Sequence, residues 1–153
     1  MTLDEIDKRI LGELQLDAKL QNIELAKRVG LSPSPCLRRV KLLEEAGIIS
    51  RYIAVVDQSK VGLALSLFAR VSFTAQDAET VNDFVAAMRR LPEVMECYIM
   101  LGEFDALLRV VVSDLADYRR FQGTHLTRKN GVQNVKTDMP SETVKQTFAL
   151  PIR

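Results

Sequence analysis

The chain has 153 residues, enough for one large domain or two small ones, with the 47% apolar and 27% charged content of an ordinary globular protein. A net charge of +1 argues against a protein that coats nucleic acid nonspecifically, but leaves room for a local basic face. No apolar run approaches the ~20 residues that span a bilayer, and the opening MTLDEIDKR has no apolar signal core. The expected compartment is the cytoplasm, with no membrane partner.

Thr2-Leu3-Asp4-Glu5 has the form of a capping box, Thr2 capping and Glu5 reaching back. Ile6, Ile10, Leu11 and Leu14 then mark one stripe of a helix expected to end near Asp17. Asn22 is the expected cap of a second helix with Leu25, Ala26 and Val29 inward, and Gly30 supplies a left-handed residue for a sharp turn. Ser32 is the expected cap of a third helix, with Pro33 at its first position and Pro35 still in its first turn. Leu37, Val40 and Leu43 are its expected buried stripe, and Gly47 ends it.

Between Glu24 and Glu44 there is no acidic residue but there are five basic ones. Two helices joined by a tight turn with this bias are suited to placing the start of the second in the DNA major groove. The candidate contacts to double-stranded DNA are Lys27, Arg28, Ser32, Ser34, Pro35, Arg38, Arg39 and Lys41. Arg38 suits a bidentate contact to guanine, and Arg39, Lys41, Lys27 and Arg28 suit phosphates.

The run from Ile49 to Asp57 is rich in β-formers and reads as a linker strand, followed by a short polar connection. The domain boundary is expected there, giving domains 1–62 and 63–153. Leu65 to Phe73 alternates with period two. A helix follows through Val81, Phe84, Val85 and Met88, then strands over 94–101 and 106–112 joined by a turn. Next come a helix over 114–126 with Leu115, Tyr118 and Phe121 inward, a strand over 132–139, and a weaker terminal strand over 142–150. The order βαββαβ predicts an α+β chain with a ferredoxin-like second domain, both helices on one sheet face. The opposite face, uncovered and expected to be apolar, predicts at least a dimer, with two DNA half-sites a helical turn (~34 Å) or a multiple apart.

Cys36 and Cys97 form no CxxC pair and His125 is the only histidine, so no metal site, cofactor or catalytic group is expected and the chain does not read as an enzyme. Cys36, in the first turn of a helix, offers an alternative as a redox sensor, although burial between helices is the simpler expectation. The loop Met100-Leu101-Gly102-Glu103-Phe104-Asp105 has two readings. It is an ordinary hairpin turn, or a site whose backbone groups and Asp105 hold an amino acid's charged ends while Met100, Leu101 and Phe104 wall its side chain.

LSPSPCLRRVKLLEEAGIISRY and MLGEFDALLRVVVSD occur in that order, framed by LDEIDKRILGELQLDAK, LAKRVGLS and a C-terminal LPI. Together they resemble the Lrp/AsnC family of leucine-responsive, feast/famine regulators over essentially the whole chain. The resemblance implies a winged-helix-like helix-turn-helix domain followed by a ferredoxin-like effector domain. It also implies dimers that assemble into rings, often octamers of four dimers, around which DNA bends. A small effector, usually an amino acid, is implied at Met100, Leu101, Gly102, Glu103, Phe104 and Asp105, with Val135 and Thr137 supplied by a neighbouring subunit. Ala106 departs from the aromatic residue often found there and leaves the effector open; leucine or methionine is the expectation. The function so implied is a sequence-specific transcriptional regulator responsive to that effector. The alternatives are redox sensing through Cys36, or an architectural DNA-bending protein without effector.

Overall fold

The computed structural model describes residues 2–153 as two compact units. The first runs to Val55 and includes Val144–Arg153; the second is Val56–Thr143. Residues 56–62, expected with the N-terminal domain, thus fall in the second unit, and 144–153, expected with the sheet, fall in the first.

The first unit holds α1 (Glu5–Leu16), α2 (Asn22–Val29) and α3 (Pro33–Glu45). The cap of α1 is Asp4, not Thr2: its Oδ1 accepts the Ile6 and Asp7 N–H groups, and Asp7 Oδ2 accepts the Asp4 N–H. This D-x-x-D box lies two residues beyond the expected one, and aspartate outranks threonine as a cap. Asn22 does not cap α2. It is the first helical residue, and its Nδ2 donates to the Pro33 carbonyl at 2.8 Å. Gly30 is left-handed at φ 75°, which lets the Leu31 N–H return to the Ala26 carbonyl at 2.8 Å and turns the chain into α3.

Ser32 stands at the cap of α3 without a side-chain hydrogen bond, and Pro33 opens the helix. Its inward stripe is Cys36, Val40 and Leu43; Leu37 is 44% exposed. The spacing i, i+4, i+7 follows the helix more closely than i, i+3, i+6, which drifts about 60° per step. These side chains close a core with Ile10, Leu11, Leu25, Ala26 and Val29, against which Ile49 and Ile152 also pack. The run 49–57 makes no strand ladder among the described residues.

In the second unit β1 (Leu65–Phe73), α4 (Ala78–Met88), β2 (Val94–Ile99), β3 (Ala106–Val112), α5 (Leu115–His125) and β4 (Val132–Asp138) follow in order. The sheet is antiparallel in the order β2-β3-β1-β4. Period two sends Leu67, Ala69, Val71 and Phe73 to the same side as Ala106, Leu108, Val110 and Val112. There they meet Phe84 and Met88 of α4 and Tyr118 and Phe121 of α5 in one core. Leu115, expected inward, is 53% exposed, and 142–150 form no fifth strand. The open face differs from the apolar surface expected. It carries Phe68 and Leu107, but also the ion pairs Arg70–Asp138 at 2.7 Å and Arg109–Glu96 at 2.9 Å.

Candidate DNA interface and ligand site

The eight candidate DNA contacts fall into two groups. Ser34, Arg38 and Lys41 lie at i, i+4, i+7 on the side of α3 opposite Cys36, Val40 and Leu43, and all three are exposed. Arg38 and Lys41 have no ion pair or side-chain hydrogen bond among the described residues. Ser32 and Pro35 are exposed beside them, and Lys27 is 73% exposed with Glu24 no nearer than 4.0 Å.

Arg28 and Arg39, by contrast, are engaged within the unit. Arg28 donates to Glu13 at 2.9 Å and to Glu24 at 3.3 Å, joining α2 to α1, and these carboxylates raise its pKa, Glu13 most. Arg39 donates from Nη1 to Asp7 and to Asp4, each at 2.8 Å. Those bonds raise the Arg39 pKa, Asp7 most. The Asp4 carboxyl is lowered by the Asp7 N–H first and then by Arg39. Asp4, Asp7 and Glu13 were not legible as partners because they lie on α1 or at its cap, far from the basic helices in sequence.

Cys36 is wholly buried, and burial pushes its thiol pKa up, away from a reactive thiolate. This removes the feature on which redox sensing through Cys36 rested.

The loop from Met100 to Asp105 closes the β2–β3 hairpin. The Met100 N–H donates to the Asp105 carbonyl and the Asp105 N–H to the Val71 carbonyl, both at 2.9 Å. Asp105 does not point free into the loop. Its Oδ2 accepts the Phe73 N–H at 2.7 Å and its Oδ1 accepts Gln76 Nε2 at 2.8 Å, so it anchors the hairpin to the end of β1. Leu101 is fully exposed, and Gly102 and Glu103 are exposed. Gly102 has no left-handed φ, and a Cβ there would meet nothing within 4 Å. Its own chain therefore does not require glycine. The N–H groups of Leu101, Gly102, Glu103 and Phe104 donate to nothing among the described residues, which leaves four backbone donors clustered around a residue without a side chain.

Val135 and Thr137 are not brought to this loop. The register turns them to the helix-covered side, where the Thr137 and Tyr118 hydroxyls lie 2.6 Å apart. Asn134 and Lys136, which alternate with them, line a shallow cavity of about 70 Å³ with Arg70, Ser72, Glu103 and Phe104. A larger cavity of about 370 Å³ lies elsewhere, between Glu79, Thr80 and Asp83 of α4 and the turn Arg128–Gly131. Of its lining groups the Thr80 hydroxyl is bonded to Asp77 and the Asn130 amide to the carbonyls of Thr124 and His125, while Glu79, Asp83, Arg128 and Lys129 have no ion pair among the described residues.

A helix-turn-helix unit with a free polar stripe on its second helix, joined to a βαββαβ sheet unit, defines a DNA-binding regulator with a separate ligand-binding module. Residues 66–150 match the Lrp/AsnC ligand binding domain, and residues 3–50 match a winged helix-turn-helix DNA-binding domain. The chain belongs to the Lrp/AsnC family, whose members are transcriptional regulators and not enzymes. It is 40% identical over 151 residues to the leucine-responsive regulatory protein of Escherichia coli, covering 99% of this chain and 92% of that one. It is 39% identical over 150 residues to the transcriptional regulator AzlB of Bacillus subtilis, covering 98% and 96%. Among solved structures, a transcriptional regulator from Neisseria meningitidis in complex with L-Met superposes with TM-score 0.94 at 41% identity, covering 98% and 97%. An AsnC family regulator from Agrobacterium tumefaciens gives TM-score 0.92 at 38% identity, covering 97% of each chain.

Proposed function

We propose that the chain is a sequence-specific regulator that reads DNA through the outer stripe of α3 and responds to an amino acid held at the Met100–Asp105 loop. Arg38 is the base-reading residue of this stripe. Lys41 and Lys27 meet phosphates, and Ser32, Ser34 and Pro35 shape the approach of the helix start. The four free N–H groups around Gly102 suit a carboxylate, and Gly102 keeps its approach clear. A medium apolar amino acid, leucine or methionine, fits a loop that also offers Met100, Leu101 and Phe104. The relative solved with L-Met lends support to this class of ligand. A neighbouring subunit's Val135 and Thr137 complete the site in an assembly of at least two copies, with four dimers the favoured ring. On this reading the protein works on chromosomal DNA, in the cytoplasm.

The observation that carries the reading is the division among the basic residues. Two arginines are consumed inside the unit, while Arg38 and Lys41 face outward without partners among the described residues. Binding to the DNA upstream of its own gene, followed by fluorescence anisotropy across a salt series, tests it. Lys41→Ala should flatten the salt dependence by about one unit of slope, while Arg38→Ala should cost about tenfold in affinity and reduce the preference over a scrambled duplex. Wild-type binding by that variant would mean that α3 is not the reading helix. For the ligand, leucine or methionine should raise the melting temperature and Gly102→Leu should abolish the shift. A full response in Gly102→Leu would move the site elsewhere, and no response to any amino acid in the native chain would favour an architectural protein without effector.

A further inference from the structure

On the reading that α3 carries the DNA-reading stripe, we propose that Arg39 is a positioning residue: it clamps α3 to the capped start of α1 and makes no contact with DNA. Arg39 follows Arg38 by one residue, a rotation of about 100° around the helix that carries its side chain off the outer stripe. One nitrogen, Nη1, meets Asp4 Oδ2 and Asp7 Oδ1, each at 2.8 Å. The other oxygen of each carboxylate is already committed: Asp4 Oδ1 caps α1, and Asp7 Oδ2 takes the Asp4 N–H back. Cap and clamp are therefore one unit, in which every carboxylate oxygen has a donor.

Asp7 is the reason the clamp holds. It is 3% exposed, the one buried charged residue among those described. A buried carboxylate stripped of its cation is costly, because neither water nor another donor replaces the lost charge. Drawing Arg39 toward a phosphate would strand Asp7 and trade two charge-assisted hydrogen bonds for new ones to a solvated anion. The guanidinium thus stays with α1, and the angle at which α3 presents Ser34, Arg38 and Lys41 is set by the start of the chain.

The full-length protein is tested by anisotropy against its upstream DNA and against a scrambled duplex, over a salt series, below the melting temperature of every variant. Arg39→Ala should weaken specific binding by about tenfold, reduce the preference over the scrambled duplex, and leave the salt slope as in the native protein. Asp4→Asn keeps a good cap, because asparagine caps as well as aspartate, but it weakens the clamp and removes one negative charge. Positioning predicts weaker specific binding in this variant; a phosphate contact by Arg39 predicts tighter binding, since Arg39 is released and repulsion of the DNA falls. Asp4→Asn also keeps the question open to test if Arg39→Ala fails to fold. A flattened slope in Arg39→Ala comparable to that of Lys41→Ala, or tighter binding by Asp4→Asn, overturns the positioning role alone. Insensitivity of binding to Arg38→Ala overturns the reading helix, and the positioning role with it.

Discussion

Gly131 sits at φ 77°, and a Cβ added there would lie 2.9 Å from the Thr80 methyl. Both the backbone conformation and the space exclude a side chain. Gly12, in the middle of α1, has neither constraint: its φ is ordinary and a Cβ would meet nothing within 4 Å. Opposite effects are therefore expected from one substitution. Gly131→Ala should destabilise the second unit by about 1–3 kcal/mol, and Gly12→Ala should stabilise the first by about 0.5–1 kcal/mol through helix propensity. Urea denaturation of the two variants gives the sign directly; equal shifts in the same direction would refute the account of Gly131. Legibility at this scale depended on whether a residue's partner lies near it in sequence. Gly30 was legible because its partners are helix neighbours. Arg39 and Asp105 were not: their partners lie about thirty residues away, at Asp7 and at Phe73 and Gln76. The sequence marked both as charges available for a ligand, whereas the fold uses both as struts.

The helices and paired strands were readable because each carries its own periodicity: Leu65–Phe73 buries every second residue, and α2 buries Leu25, Ala26 and Val29. The segments 49–57 and 142–150 have the composition of strands but no strand partner among the described residues, and β-propensity expresses little without a neighbour to pair with. Helix starts were harder to place, because several polar residues compete for the cap. Their acid sensitivity is now specific. Asp4, Asp77 and Asp117 all have pKa values held below the ordinary 3.8, chiefly by the N–H groups of Asp7, Thr80 and Ser113. A depressed folded-state pKa stabilises the fold above the unfolded value, and that contribution is lost as pH falls through the lowered folded value. Stability should therefore decline below about pH 4. Asp77→Asn retains a capping oxygen at the start of α4 but cannot titrate, so its loss of melting temperature between about pH 6 and about pH 2 should be shallower than that of the native chain. A parallel acid profile would show that Asp77 contributes nothing to it.

The chain leaves its first unit at Val55 and re-enters it at Val144, so the ligand-binding unit is an insertion within the DNA-binding unit and is tied to it by two covalent segments. The returning segment is held at two points. The Gln15 side chain pairs with the Leu150 backbone, accepting its N–H at 2.6 Å and donating to its carbonyl at 3.2 Å, and Ile152 packs against the core of α1, α2 and α3. The C-terminal LPI therefore has a structural role: Ile152, partly buried, extends the core built on Ile10, Leu11, Leu25, Val29 and Leu43. Ile152→Ala should cost about 1–2 kcal/mol, since the side chain is only partly buried. The loss should appear as faster hydrogen exchange at the amides of α1 and α2, while β1 and β3 keep their protection. A chain ending at Thr143 should show the same pattern more strongly. If α1 exchanges at the native rate in both, the last ten residues lie on the first unit without supporting it.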